Sequence, residues 1–426
     1  MKLSKSFLLV VLVAGMTLGT AWAIRGQFGH EQGAAWAGGI GALVLLLLAK
    51  RKDWYPKALR ATLAGAIGWG LGGAMSYGIV VGYGRGSDFG NVYYGLMMLF
   101  VIGGLYGFLG GGLFGLALED SKMKKVDWPR LFVEMVAVAL VTYFFLIEQW
   151  GWLMTPPRSE MWAACLGLAL GLSWYLVRNY YVAALRVAVF AGLGGGFGFA
   201  FGNFLHVLGY VSEIGFNFWN VMEYSLGFFG GVGMAYGTYT ANWPQADPVR
   251  EEPKGEWFPI MALTLMIPFV VWDQSFGLER LTKMATTIQI ANSEIVAKIS
   301  QAVALSLILG SAGYWINYYY FQKSVVAVNF ENLRWFFFSY FSLYMVGSWL
   351  ITGAFFSTYR VEQYLYAVNL LIIGWLLQKG QAEFQPKENQ VAHWGIVLLG
   401  IGVIVAVLAL IAIGTHGEIK GAQIRF

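Results

Sequence analysis

The sequence predicts an all-α polytopic membrane protein with glycine-rich helix packing, and three features of the chain support that fold class. Of the 426 residues, 58% are hydrophobic and only 12% are charged, whereas soluble domains carry about twice that charged fraction. The apolar residues form runs of roughly 20, as membrane-spanning helices require, and not the short alternating segments of a membrane barrel. The 56 glycines cluster, as at Gly103, Gly107, Gly111 and Gly115, and this four-residue spacing lets helix backbones approach closely.

About thirteen apolar runs are expected to form transmembrane helices. They cover residues 6–24, 32–49, 61–83, 92–118, 131–153, 161–177, 181–211, 216–240, 257–273, 299–321, 334–356, 361–378 and 392–414. The first run follows Lys2 and Lys5 and ends at residues 21–23 (AWA), a pattern that is also typical of a cleaved signal peptide. We interpret it as a retained first helix, because a polar motif that recurs later in the chain follows it directly.

The distribution of lysine and arginine predicts the orientation of the chain. Loops on the side of the N-terminus hold 19 of the 28 basic residues, and the opposite loops hold the other nine. Basic loops are retained in the cytoplasm. We therefore expect a multi-pass protein of the cytoplasmic (inner) membrane, with a cytoplasmic N-terminus and an extracytoplasmic C-terminus.

Composition also excludes several classes of partner and cofactor. The net charge of +5 is explained by the short basic loops, so no nucleic-acid partner is predicted. Cys165 is the single cysteine, which excludes an intramolecular disulfide and any CxxC metal or redox site. With four histidines and no HExxH motif, neither a metal nor another cofactor is expected, because zinc needs three or four converging ligands.

A short polar motif recurs where three of the apolar runs end. Residues 25–29 (RGQFG), 148–151 (EQWG) and 273–277 (DQSFG) each combine an ionisable residue, a glutamine, an aromatic residue and a glycine. The three glutamines are 122 and 125 residues apart, and each interval spans four runs. Because four is an even number, the units share one orientation, which indicates parallel repeats.

The repeats predict the division of the chain. Residues 1–127 and 128–250 form the first two four-helix units, 251–385 form a divergent third unit, and 386–426 form a final helix with a short outer tail. The third unit has about 20 extra residues after its motif. Within them, residues near 279–297 are expected to form an outer amphipathic helix or lid.

The densest cluster of candidate functional residues follows the first run. Arg25, Gln27, His30 and Glu31 lie within seven residues. Arginine binds carboxylate, phosphate or sulfate through two parallel hydrogen bonds, and a histidine beside an acid can relay protons. The alternative is an outer-loop ion pair that only fixes the hairpin.

Two carboxylates take the place of Arg25 in the later units. Glu148 precedes Gln149, and Asp273 precedes Gln274. Pseudo-threefold packing would bring one cation and two carboxylates near a common axis, and ionisable residues at membrane depth are usually functional. The alternative is that these side chains extend to the lipid headgroups. Further polar residues on the same side of the membrane are Asp88, Asn203, His206 and the more deeply placed Glu223.

These patterns favour a membrane transporter, secondary or facilitative, for a small polar or anionic solute bound near the extracytoplasmic side between the repeats. The residues expected to contact the solute are Arg25, Gln27, His30, Glu31, Glu148, Gln149, Asp273 and Gln274. The residues expected to carry a coupling ion or proton are Glu148, Asp273, Glu223 and Asp88. No nucleophile or metal motif supports catalysis, so an enzyme is the less favoured class.

Two alternatives stay open. The first is a membrane-embedded transferase that acts on a lipid-linked or extracytoplasmic glycan, with His30 and Glu31 as its acid and base. The second is a non-catalytic membrane subunit that anchors a partner complex through its glycine-rich helix faces. The expected partners are the lipid bilayer, a small-molecule solute, and either a second copy of the chain or a partner membrane subunit.

Overall fold

A computed structural model describes residues 4–156, 159–244, 257–322, 328–387 and 394–426, except for the side chains of His30 and Trp394. All regular secondary structure in this part of the chain is helical. The helices are α1 Lys5–Arg25, α2 His30–Ala49, α3 Ala58–Gly73, α4 Gly78–Tyr83, α5 Phe89–Glu119, α6 Trp128–Tyr143, α7 Glu160–Arg178, α8 Val182–Val211, α9 Phe218–Thr240, α10 Trp257–Met261, α11 Ile267–Ser275, α12 Leu278–Thr287, α13 Ser293–Ile316, α14 Phe330–Thr352, α15 Glu362–Lys379 and α16 Trp394–Thr415. Single π-helical segments follow α6, α10 and α13.

The all-α prediction is confirmed for the described residues, and helices cover most of each of the thirteen predicted runs. Within the described ranges, nine helices are long and apolar enough to cross a membrane, counting α6 and α13 with their π segments and α10–α11 as one. The chain is therefore a helical membrane protein. The other predicted runs correspond to α3–α4, α9, α14 and α15, which are shorter, interrupted or richer in polar residues.

Six helices form a closed ring at the centre of the molecule. Going round it, α1 packs on α9, α9 on α8, α8 on α5, α5 on α3, α3 on α2, and α2 again on α1. The remaining helices lie outside: α6 packs on α7, α11 and α14 pack on α2, α15 packs on α1, and α16 packs on α5 and α8. The core of the fold is thus built from early and middle parts of the sequence.

Glycines at four-residue spacing join the ring helices closely, as the sequence predicts. Gly103, Gly107, Gly111 and Gly115 on α5 all face the backbone of α8. On the α9–α1 contact, a Cβ added at Gly231 would lie 2.6 Å from the carbonyl oxygen of Ala14. Such distances exclude any larger side chain without movement of a helix, so glycine is what allows this packing.

One tryptophan fills the centre of the ring. Trp69 of α3 is fully buried, and its ring contacts Trp22 of α1, with centroids 4.9 Å apart. Gly38 of α2, Gly110 of α5 and Gly230 of α9 each leave room for this one indole. The ring is therefore packed solid at this level and contains no open pore there.

The structure corrects two sequence predictions about helix boundaries. Run 61–83 is interrupted between Gly73 and Gly78, and the intervening segment is held by a hydrogen bond from Ser76 Oγ to the carbonyl oxygen of Thr155 (3.1 Å). The expected amphipathic helix 279–297 is shorter, because α12 ends at Thr287. Asn292 then adopts a left-handed conformation (φ 59°) before α13 begins.

Candidate functional site

The interrupted helix presents a side chain to the interior of the bundle. The run of residues 70–78 (GLGGAMSYG) contains four glycines, which weaken a helix by about 1 kcal/mol each relative to alanine in water. Tyr77 lies at the end of the break, immediately before α4, and is 5% exposed. Because the chain is not helical at this point, Tyr77 can lie next to Arg25 at the end of α1.

Tyr77 meets a buried ion pair between α1 and α9. Arg25 is 2% exposed and Glu223 is 1% exposed, and Arg25 Nη1 donates to Glu223 Oε1 (3.3 Å) and Oε2 (3.4 Å). The same nitrogen lies 2.6 Å from Tyr77 Oη, which donates to Glu223 Oε1 (2.6 Å). Among the contacts described, each of the three groups is linked to the other two, and the network contains one positive and one negative charge.

Neighbouring contacts fix the position of both charged groups. Asn220, one turn before Glu223 on α9, donates to the carbonyl oxygen of Ala23 (3.0 Å) and to Tyr366 Oη (2.6 Å). These bonds tie α9 to α1 and α15 beside the ion pair. The Arg25 guanidinium also lies over the ring of Trp22, 5.5 Å from its centroid, a favourable cation–π arrangement.

A cavity of about 270 Å³ opens onto the network. It is lined by Arg25, Gly26, Phe28, Ser76, Tyr77, Gly78, Trp219 and Glu223. Trp22, which lies against the Arg25 guanidinium, also packs against the buried ring of Trp69. The cavity therefore ends at one cation, one anion and one hydroxyl.

The loop after α1 is clamped by two arginines from later in the chain. Arg280 donates to the backbone oxygen of Gln27 (2.7 Å), and Arg360 donates to Gln27 Oε1 (2.8 Å). Burial, together with the neighbouring charge of Arg360, lowers the pKa of the Arg280 guanidinium. The side-chain oxygen of Gln27 is thus engaged by Arg360, and the loop is fixed beside the cavity.

The first and third copies of the recurring motif are neighbours. The backbone N–H of Gly29 donates to Ser275 Oγ (3.2 Å), and the rings of Phe28 and Phe276 stack with centroids 6.2 Å apart. Asp273 and Gln274, however, are exposed at the end of α11 and do not line the cavity. The third motif supports the loop without placing its carboxylate next to Arg25.

The second copy lies elsewhere. Glu148 and Gln149 are exposed at the end of the π segment after α6, and Glu148 accepts a hydrogen bond from Tyr143 Oη on the same helix (2.5 Å). Because α6 packs on α7 outside the ring, the expected convergence of two carboxylates on Arg25 does not occur.

The other predicted residues have separate environments. Asp88 is exposed and caps the N-terminus of α5 by accepting a hydrogen bond from the backbone N–H of Asn91 (3.0 Å). Glu31 is half-buried in the first turn of α2. The side chain of His30 lies outside the described residues. Of the predicted set, the structure brings together Arg25 and Glu223.

Tyr77 is not among the site residues that the sequence predicts, although the pattern that positions it is present in the sequence. Four glycines and a serine within residues 70–78 are typical of a helix break. The orientation of a tyrosine inside such a break is not set by helix geometry. The partner of Arg25 is thus found 198 residues later in the chain, at Glu223.

The network places a guanidinium, a carboxylate and a hydroxyl within hydrogen-bond distance of one another. A proton added to Glu223 would remove its negative charge and leave Arg25 able to bind an external anion through charge-assisted hydrogen bonds. Among the described side chains, no group of three histidine, cysteine, aspartate or glutamate residues could hold a metal ion.

Comparisons with protein-family models, curated proteins and solved structures found no match to this chain. The function proposed below therefore rests on the chemistry of the site.

Proposed function

We propose that the chain is a secondary transporter of the cytoplasmic membrane that moves a small monovalent anion together with a proton. The observation that carries the proposal is the buried Arg25–Tyr77–Glu223 network at the end of a cavity. Arg25 binds the anion, Glu223 carries the proton, and Tyr77 supplies a hydroxyl that can hydrogen-bond either partner.

Charge balance explains why proton and anion are coupled. With Glu223 ionised, a second anion beside Arg25 would place two negative charges on one cation in a site where water does not screen them. With Glu223 protonated, the incoming anion restores neutrality. The loaded and empty sites are then both neutral, as crossing a low-dielectric membrane requires.

The size of the cavity supports a small solute. Its volume of about 270 Å³ lies below the range of roughly 300–1,000 Å³ that is typical of pockets for drug-sized ligands. Lipid-linked glycans are far larger, so the cavity favours transport over the transferase alternative. In this proposal Gln27 and the motif that contains Asp273 hold the loop after α1 in place and do not bind the anion.

The interrupted helix supports a transport role as well. Discontinuous helices place irregular backbone at membrane depth only where it lines a cavity, and they are common at transporter substrate sites. Here the break between α3 and α4 supplies the cavity residues Ser76 and Tyr77, and the first residue of α4 supplies Gly78. A movement of α4 would move Tyr77 relative to the ion pair.

We also propose the finer architecture that the sequence predicts. Thirteen spans would place the cavity on the extracytoplasmic side, with the N-terminus in the cytoplasm. Three parallel repeats would group α1–α5, α6–α9 and α10–α15, each with four long helical stretches, followed by α16. The recurrence of the polar motif after α1, α6 and α11 supports this grouping.

The proposal is tested by proton movement into vesicles. The purified full chain would be reconstituted around a trapped pH dye, and chloride, nitrate or methanesulfonate would be added outside. These anions are used because their conjugate acids are strong, so the neutral acid form does not carry protons across the bilayer. We expect at least one of them to acidify the lumen.

The matched variants are Arg25→Gln and Glu148→Gln, each of which replaces one charged residue of a recurring motif by an amide. Arg25→Gln should reduce acidification at least about tenfold, since it removes the anion's charged partner. Glu148→Gln should resemble the wild type. Equal acidification in vesicles with and without protein, for all three anions, would contradict the proposal.

A further inference from the structure

A second polar cluster lies next to the cavity and is not part of the Arg25 network. It consists of Arg85, in the loop between α4 and α5, and of Asn203 and His206, one turn apart on α8. The ring of His206 packs edge-on against Trp219, with centroids 5.2 Å apart, and Trp219 lines the cavity. The cluster is therefore separated from the cavity by one indole.

Arg85 is a partly buried cation that contacts neutral groups. Its Nη2 lies 3.2 Å from Nε2 of His206, and its Nη1 lies 3.5 Å from the carbonyl oxygen of Lys420. No carboxylate among the described residues is within salt-bridge distance of it. Burial lowers the pKa of this guanidinium, and the phenol of Tyr210 offsets only part of this effect.

Two buried polar groups at the cluster have no hydrogen-bond partner among the described residues. They are Nε of Arg85 and the side-chain amide of Asn203, of which both Nδ2 and Oδ1 are unpaired, and Asn203 is fully buried. The Asn203 amide lies against Gly84, the residue that precedes Arg85, so closely that a Cβ on Gly84 would overlap it. Both groups therefore lie where α8 meets the loop after α4.

Unpaired buried donors beside an uncompensated cation are complementary to an anion. The buried Nδ2 of Asn203 has lost its hydrogen bonds to water, and a new acceptor would stabilise it. A guanidinium gains most from an acceptor that carries negative charge. A ligand that supplies an acceptor and a negative charge at once would satisfy both requirements.

We propose that Arg85, Asn203 and His206 form a second binding site for a small monovalent anion, separated from the cavity by Trp219. Arg85 supplies the charge, Asn203 supplies an amide donor, and His206 is a positioning residue whose neutral ring accepts a hydrogen bond from Arg85. The site binds the anion before it passes Trp219 towards Arg25. This role in transport rests on the proposed function, whereas anion binding at the site does not.

The test is the thermal stability of the purified full chain as chloride replaces gluconate at constant ionic strength, gluconate being too bulky for a site of this kind. A ligand that binds only the folded state raises its stability as its concentration exceeds the Kd. We expect chloride to stabilise the wild type. In Arg85→Gln, the chloride concentration for half-maximal stabilisation should rise about tenfold or more.

Two comparisons separate the second site from other effects of charge. Arg425→Gln also removes one arginine from this end of the bundle, where Arg425 packs over Tyr94 (5.7 Å from the ring centroid), and should respond like the wild type. Arg85→Lys keeps the charge but loses Nε, so it should bind chloride more weakly than the wild type and more tightly than Arg85→Gln.

Arg25→Gln distinguishes this inference from the proposed function. If the second site exists, Arg25→Gln retains stabilisation by chloride even though its transport is reduced at least about tenfold. The inference is overturned if Arg85→Gln and Arg425→Gln bind chloride equally well, or if Arg25→Gln loses the stabilisation that Arg85→Gln keeps. In the latter case the anion would bind only in the cavity.

Discussion

The ends of α1 and α6 carry related sequences in opposite environments. RGQFG at residues 25–29 ends a helix inside the six-helix ring, and its Arg25 is 2% exposed. EQWG at residues 148–151 ends a helix that packs on α7 outside the ring, and its Glu148 is exposed. The motif therefore indicates where a helix ends. Whether its ionisable residue is buried depends on the helices that pack around that end.

The neighbours of α1 come from distant parts of the chain. It is flanked by α2 and α9 within the ring and by α15 outside it. α9 contributes Glu223, and the break after α3 contributes Tyr77. α6 has no comparable surroundings, so Glu148 bonds only to Tyr143 of its own helix among the contacts described.

The sharpest way to test this difference is to truncate each carboxylate. We expect Glu223→Ala to destabilise the protein by about 3–5 kcal/mol, because it leaves the Arg25 charge buried without its anionic partner. Glu148→Ala should change stability by less than about 0.5 kcal/mol, as is usual for exposed positions. Unfolding by denaturing detergent in mixed micelles measures both values.

Equal effects of the two truncations would contradict the distinction between a buried and an exposed motif. Glu223→Gln serves as an internal check, because it removes the charge and keeps the shape of the side chain. If Glu223→Ala lowered the free energy of unfolding and Glu223→Gln left it at the wild-type value, then packing, and not charge, would stabilise the contact between α1 and α9.

A smaller effect is expected where ring and outer helices use glycine differently. Gly231 of α9 packs on the backbone of α1, whereas Gly313 of α13 has open space beside it. Gly231→Ala should destabilise the protein by about 1–3 kcal/mol through overpacking. Gly313→Ala should be neutral or stabilising by up to about 1 kcal/mol, since alanine restricts the unfolded chain.

The same unfolding assay compares the two glycine variants. If Gly313→Ala were as destabilising as Gly231→Ala, the loss of stability in Gly231→Ala would come from replacing glycine in general. The close contact between α9 and α1 would then not explain that loss.

Much of the fold follows from the sequence because it depends on local patterns. Run lengths predict each long helix, and four-residue spacing of glycine predicts the close contact of α5 with α8. The break at residues 74–77 and the early end of α12 at Thr287 are less predictable. They depend on contacts such as that between Ser76 and Thr155, which are distant in sequence.

The site was predictable in part for the same reason. Arg25 and Glu223 stand out as ionisable residues in apolar surroundings, and this property alone marks them as candidates. Their pairing depends on which helices close the ring, and one sequence does not contain that information. The similar positions of Glu148 and Asp273 in the recurring motif predicted them as neighbours of Arg25, whereas the structure places Glu223 there.

The central claim is that an anion replaces the Glu223 carboxylate beside Arg25 and that a proton binds Glu223 as it does so. The most direct test is the pH change of a weakly buffered solution of the purified protein when a transported anion is added. We predict uptake of about one proton per anion bound in the wild type, and anion binding without proton uptake in Glu223→Gln. Anion binding by the wild type with no proton uptake would contradict the claim.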